Sequence, residues 1–169
     1  MKESHFQQLG ETTMLYATPY DIDFDGFYFS DMDEFNTLYQ QHPCEEFEIQ
    51  FIDGDNPQLF SSALIGQANL EQWFDELVNI ADDEDKAIQV IYLLNLGYTL
   101  DDALNKSDDV CLFHGLAEDY AYELFNECYD IPESLVHYID YEKFANDMLI
   151  SSEITEYSRN IFIINTVSF

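Results

Sequence analysis

LAEDYAYELFNECYDIPESLVHYIDYEKFAND, running from Leu116 to Asp147, opens with the pattern of an amphipathic helix. Ala117, Tyr120, Ala121, Leu124, Phe125 and Cys128 recur at spacings of three and four and form one apolar stripe. Glu118, Asp119, Glu123 and Glu127 fall on the opposite face. At about 1.5 Å rise per residue, Asp119, Glu123 and Glu127 follow one another at steps of roughly 6 Å, close to the spacing of phosphates along a nucleic-acid strand. The stretch holds a single Lys or Arg, Lys143, so these acids outnumber any cation that could pair with them. Asp130 and Glu133 then have the spacing of a capping box, with Pro132 in the turn between them. Asp140 is placed to cap a further helix with Tyr141, Phe144, Ala145, Met148 and Leu149 inward, and Cys128 is expected in the core.

Working outward, the whole chain shares this charge. Its 169 residues carry 35 Asp plus Glu against 5 Lys plus Arg, a formal net charge of −30. The acids are spread along the chain, 13 in residues 1–60, 11 in 61–110 and 11 in 111–169, and the longest run is only Asp82-Asp-Glu-Asp85. A hydrophobic content of 47% with 16% aromatic residues is enough for a core and excludes an acidic disordered tail. Such self-repulsion destabilises a compact state, so a chain that keeps it either lives as a generally acidic globular protein or uses the charge. One arginine, Arg159, argues against direct nucleic-acid binding and against an anionic membrane surface, both of which need Lys and Arg clusters. No apolar run reaches the ~18 residues of a membrane span and no secretory leader is recognisable, which makes the cytoplasm the expected location. Three cysteines, Cys44, Cys111 and Cys128, give no disulfide framework and read as reduced thiols.

In chain order, residues 1–12 are polar and loose in expectation. A strand over 13–18 ends at Pro19, a short strand follows at 26–29, and Ser30 with Asp33 reads as the capping box of a helix with Met32, Phe35, Leu38 and Tyr39 inward, stopped by Pro43. Residues 46–52 alternate, with Phe47, Ile49 and Phe51 on one face and Glu46, Glu48 and Gln50 on the other. Asp53-Gly-Asp-Asn-Pro57 is turn chemistry and marks a boundary. The middle is helical. Leu70, Trp73, Phe74, Leu77 and Val78 form one stripe with Glu71, Asp75 and Glu76 outside; Asp82 to Asp85 suits the first turn of a buried helix over 87–96. Gly97 stops that helix and Thr99 with Asp102 caps another. A strand is expected over 108–113, and a last one over 161–164 pairs with 153–157. The expected class is therefore α+β, in three small elongated subdomains with an acidic surface: 1–60 α+β, 61–107 helical and 108–169 α+β.

Conventional sites are weak. Asp21-Ile-Asp-Phe-Asp-Gly26 matches the first half of a calcium loop, but position 12, which needs a bidentate glutamate, is Met32; an acidic display loop is the favoured reading. His42 and Cys44 with Cys111 and His114 lack any strong zinc spacing. No phosphate-binding glycine loop, nucleophile elbow or zinc-protease helix occurs. Close carboxylate pairs of the glycosidase kind are guaranteed by 35 acids and so are no sign of catalysis. The sequence is read as a non-enzyme without cofactor or metal.

The run Ile131-Pro-Glu-Ser-Leu followed by Tyr138-Ile-Asp-Tyr-Glu-Lys-Phe-Ala, after an acidic helix, resembles the antirestriction segment of the ArdA family. Weaker likeness lies at Met14-Leu-Tyr-Ala17 and at Glu45-Glu-Phe-Glu-Ile49. The first dozen residues extend beyond the family's usual start. The loop Asp21 to Gly26 lacks its asparagine-glycine character, and Phe27 or Tyr28 stands where the family has tryptophan.

The resemblance implies a three-domain curved fold and a homodimer joined through the C-terminal region. It also implies a DNA mimic that occupies the DNA-binding groove of the methyltransferase and specificity core of type I restriction-modification enzymes, in a bacterial host carrying a phage or other mobile element. Carried over residue by residue, the partner-binding carboxylates are Glu118, Asp119, Glu123, Glu127, Asp130 and Glu133. The wider display adds Asp21, Asp23, Asp25, Glu46, Glu48, Asp75, Glu76, Asp82, Asp83, Glu84 and Asp85. The alternative is the same mimicry aimed at another nucleic-acid-binding defence complex, such as a CRISPR-type one, or at a nucleoid protein. A calcium- or metal-binding acidic adaptor and a hydrolase built on paired acids stand behind both.

Overall fold

A computed structural model describes residues 13–42 and 44–169. The N-terminal stretch 1–12 and Pro43, expected as a loose start and a helix stop, lie outside the described residues. The protein is α+β, with two small antiparallel sheets and helices packed beside them. The described residues divide into two compact units that part between Leu104 and Asn105.

In the first unit, strands β1 (Met14–Pro19) and β2 (Phe27–Phe29) form a hairpin around the acidic loop. Helix α1 (Met32–Tyr39) follows, then β3 (Phe47–Asp53), which pairs antiparallel with β1 to give the order β2-β1-β3. Alternation sends Leu15, Ala17, Phe27, Phe29, Phe47 and Ile49 into the core and leaves Tyr28, Glu48 and Gln50 on the outer face. Phe35 of α1 packs 4.9 Å from Phe29 and 5.8 Å from Phe27, ring centre to ring centre. The α1 cap is displaced by one residue from the expected Ser30–Asp33 box. Asp31 accepts from the Glu34 N–H at 2.7 Å, and the Glu34 carboxylate accepts from the Ser30 N–H at 2.9 Å. The Ser30–Asp33 and Asp31–Glu34 pairs share the same spacing, and Phe35 is the buried residue of the helix.

The aromatic core runs on into the helices. Short helix α2 (Pro57–Ser62) begins inside the stretch expected as turn and is capped by Asn56, which accepts from Leu59 N–H at 3.0 Å. It delivers Phe60 to 5.4 Å from Phe51 and 5.0 Å from Trp73. Helices α3 (Leu70–Gln72) and α4 (Val78–Ala81) flank a π-helical turn, Trp73–Leu77, in which Val78 N–H donates to Trp73 O. Leu70, Trp73 and Leu77 are fully buried, as their stripe predicts, while Glu71, Asp75 and Glu76 face out. Gln67 closes the edge of β3, accepting from Phe47 N–H at 2.8 Å and donating to Glu45 O at 3.1 Å. Helix α5 (Glu84–Asn95) buries Ala87, Ile88, Val90, Ile91 and Leu93, and Gly97 ends it. With φ +94 this glycine sits in the left-handed region, Gly97 N–H reaching Leu94 O and Tyr98 N–H reaching Leu93 O. Thr99 and Asp102 cap α6 (Leu100–Lys106) reciprocally.

In the second unit, β4 (Leu112–His114) is shorter than the expected strand, because Ser107–Asp109 winds into a 3₁₀ turn. Helices α7 (Ala117–Cys128), α8 (Glu133–Val136) and α9 (Tyr141–Ile150) precede the hairpin β5 (Thr155–Ser158) and β6 (Ile161–Ile163), and the sheet order is β4-β6-β5. Met148, Ile154 and Phe162 form the core, with Phe113, Tyr120, Leu124, Phe144 and Leu149 against it. Asp140 caps α9 as expected, accepting from Lys143 N–H at 2.9 Å. Asp130 caps nothing: α8 starts from Pro132, whose carbonyl accepts from Leu135 N–H, with no side-chain cap. Cys128 is exposed, not core; in the last turn of α7 it is Phe125 that packs on α9, 5.3 Å from Phe144, ring centre to ring centre.

Candidate partner-binding carboxylates

Helix α7 buries Ala121 and leaves its acids to solvent. Glu118, Asp119, Glu123 and Glu127 are all exposed. The first two suit the positive end of the helix, and Asp119 also accepts from the Leu116 N–H at 3.2 Å. Glu123 and Glu127 do not suit it. Like charges four residues apart oppose the helix by about 0.2–0.5 kcal/mol, and Glu127 lies in a last turn with no basic residue. The helix therefore keeps its acidic ladder against its own local stability. Asp130 and Glu133, also exposed, continue the ladder beyond the helix end.

In the first unit the carboxylates gather at one end of the sheet. The turn at Asp21 is closed by Asp23 N–H donating to its Oδ1 at 3.1 Å and Phe24 N–H to its carbonyl at 3.3 Å. The next link ties this loop to the β3 side: Tyr20 N–H donates to Glu46 O at 3.2 Å, and Thr18 stands opposite Glu48 in the register. Asp21, Asp23, Asp25, Glu46 and Glu48 are exposed. Elsewhere Asp75 and Glu76 stand on the outside of the π turn, and Asp82, Asp83, Glu84 and Asp85 lead into α5. Asp83 has a structural duty as its cap, accepting from Lys86 N–H at 3.1 Å. Asp82 has a partner that sequence reasoning misses. A hydrogen bond with Asp55 chiefly holds its carboxyl above the usual 3.8, with loss of solvent and the Asp55 charge adding to it. Asp55 is concealed in the Asp53–Pro57 turn, and nothing in the sequence spacing brings it to Asp82.

Among the described residues every Asp and Glu is exposed save half-buried Asp55. With 35 acids and 5 Lys plus Arg, one-to-one pairing with every cation would still leave a net charge of −30. What this arrangement offers chemically is a set of hydrated acceptors for Arg and Lys, with no nucleophile–base pair in the set. Among the described residues no group of three or more His, Cys, Asp or Glu side chains is placed to hold a metal ion. His42 instead lies 4.6 Å from the Phe27 ring, with Nδ1 2.7 Å from Leu38 O. Among those residues, no helix is long and apolar enough to cross a membrane.

A family model described as antirestriction protein (ArdA) matches residues 11–162. The chain belongs to the ArdA family of antirestriction proteins. The ArdA match reaches far beyond residues 116–147, where the sequence likeness is densest, and takes in the acidic loop, the helices and both sheets. A search of curated proteins returned no match.

Proposed function

We propose that this ArdA protein is a non-catalytic DNA mimic that inhibits type I restriction-modification enzymes in the bacterial cytoplasm. It does so by occupying the DNA-binding groove of their methyltransferase and specificity core. The observation that carries the reading is the outward placement of nearly every described acid. The carboxylates of α7 and its extension, Glu118, Asp119, Glu123, Glu127, Asp130 and Glu133, stand for successive phosphate oxygens. The loop and helix-start acids lengthen the display across the modules 1–60, 61–107 and 108–169. B-DNA carries about one charge per 1.7 Å of axis. A homodimer through the C-terminal module would hold twice −30, that is −60, the charge of roughly 30 base pairs. Binding releases the anions held in the basic groove, and the field steers association.

Competition tests this. Labelled duplex DNA bound to a type I restriction-modification enzyme is titrated with the protein across a salt series. Displacement that weakens steeply with salt, with neither partner modified, is the expected result. No displacement at low salt overturns the assignment to this target.

A further inference from the structure

Turns favour Gly, Asn, Asp, Pro and Ser, and a β-branched side chain is a poor choice at a turn apex. The β1–β2 loop breaks that rule. Ile22 sits inside the turn closed on Asp21 and is 96% exposed, while Phe24, two residues on, is half-buried. Leaving an isoleucine in water forgoes the gain of burying it, and no hydrophobic contact among the described residues repays that. Functional sites are where a local rule is expected to be broken without structural gain.

The surroundings are ordered and one-signed. Tyr20, 66% exposed, precedes the loop, and the Tyr16 and Tyr28 rings stand 4.6 Å apart on the outer face of the hairpin that carries it. Gly26 makes this possible: a Cβ there would collide with the Tyr16 ring and the Ala17 carbonyl oxygen. Hydrogen bonds to Asp21 and from Tyr20 to Glu46 hold the loop before any partner arrives, which lowers the ordering cost of binding. Asp21, Asp23 and Asp25 alternate with the apolar residues.

We propose that this hairpin is an apolar anchor. Ile22 enters an apolar slot rimmed by Arg and Lys side chains on the protein whose DNA-binding surface the carboxylates occupy, so the inference rests on the proposed function. Charge complementarity selects that occupant: a second copy would set acids against acids, and a nucleic acid would set them against phosphates. The anchor supplies what a bare array of acids lacks, a salt-insensitive part of the affinity and a fixed register.

The test measures affinity for a type I restriction-modification enzyme across a salt series, using the full chain and three variants. Ile22→Ser is expected to bind roughly tenfold more weakly at every salt concentration, with the salt slope and melting temperature unchanged. Ile22→Val should retain most of the affinity. Asp23→Asn with Asp25→Asn should instead flatten the slope. Wild-type binding matched by Ile22→Ser overturns the anchor alone, as does an effect of Ile22→Ser confined to self-association. Failure of the wild type to bind overturns the proposed function and the anchor with it.

Discussion

At the scale of single residues, two kinds of perturbed group make testable claims. The carboxyl of Asp82 titrates above its ordinary value because it shares a hydrogen bond with Asp55. A raised folded-state pKa contributes stability at low pH, where the proton is held, and that contribution is lost as pH rises through the folded value. Asp55→Asn should therefore lower the Asp82 midpoint followed by carboxyl-carbon NMR, and should raise stability at neutral pH relative to pH 3. Tyr120 is the opposite end of the scale. Burial first, then the charges of Glu127, Cys111, Cys128 and Glu153, push its phenol up. Its contribution to stability is present below the ordinary phenol pKa and fades as pH climbs through the raised one. Urea midpoints measured from pH 9 upward should fall in the wild type, and less steeply in Tyr120→Phe.

Individual elements show where stability and function part. Helix α9 depends on Asp140, whose carboxylate accepts from Lys143 N–H; Asp140→Ala should cost about 1 kcal/mol in urea unfolding. Helix α7 behaves otherwise. Glu123→Gln and Glu127→Gln remove a like-charge pair and a misplaced charge at the helix end, so each should stabilise the protein by roughly 0.3–0.5 kcal/mol. The same variants should displace DNA less well from a restriction enzyme. Gain of stability with unchanged displacement would refute a role for this ladder.

For the molecule as a whole the governing quantity is the net charge of −30. Self-repulsion among exposed acids weakens the folded state, and salt screens it beyond about 10 Å at 0.1 M. Melting temperature should therefore rise with sodium chloride while affinity for a basic partner falls, a divergence readable in one buffer series. Charge removal should also act in small increments over many positions. Loss of all activity on mutating one carboxylate pair would point instead to catalysis.

Much of this fold and of its acidic display is legible in the sequence, because it depends on periodicity and composition. The stripe Leu70, Trp73, Leu77, the alternation of Phe47 and Ile49, the Asp140 cap and the outward face of α7 follow from side-chain repeats of 3.6 and 2. The charge balance is set by composition, and the ArdA likeness by short runs of residue order. Tertiary packing decided what these local signals leave degenerate. Asp31 rather than Ser30 caps α1, although the residue spacing fits either. Helix α2 starts at Pro57, the last residue of the expected turn, and brings Phe60 against Phe51 and Trp73. Asp130 caps nothing and Cys128 faces solvent, although the sequence pattern fits a cap and a core position. The Asp55–Asp82 pair joins residues far apart in the chain. Sequence thus determined the inward stripes of most elements, Cys128 excepted, and how much charge the chain carries. Packing alone decided which distant side chains meet, because contact depends on how elements are placed and local repeats carry no information about that.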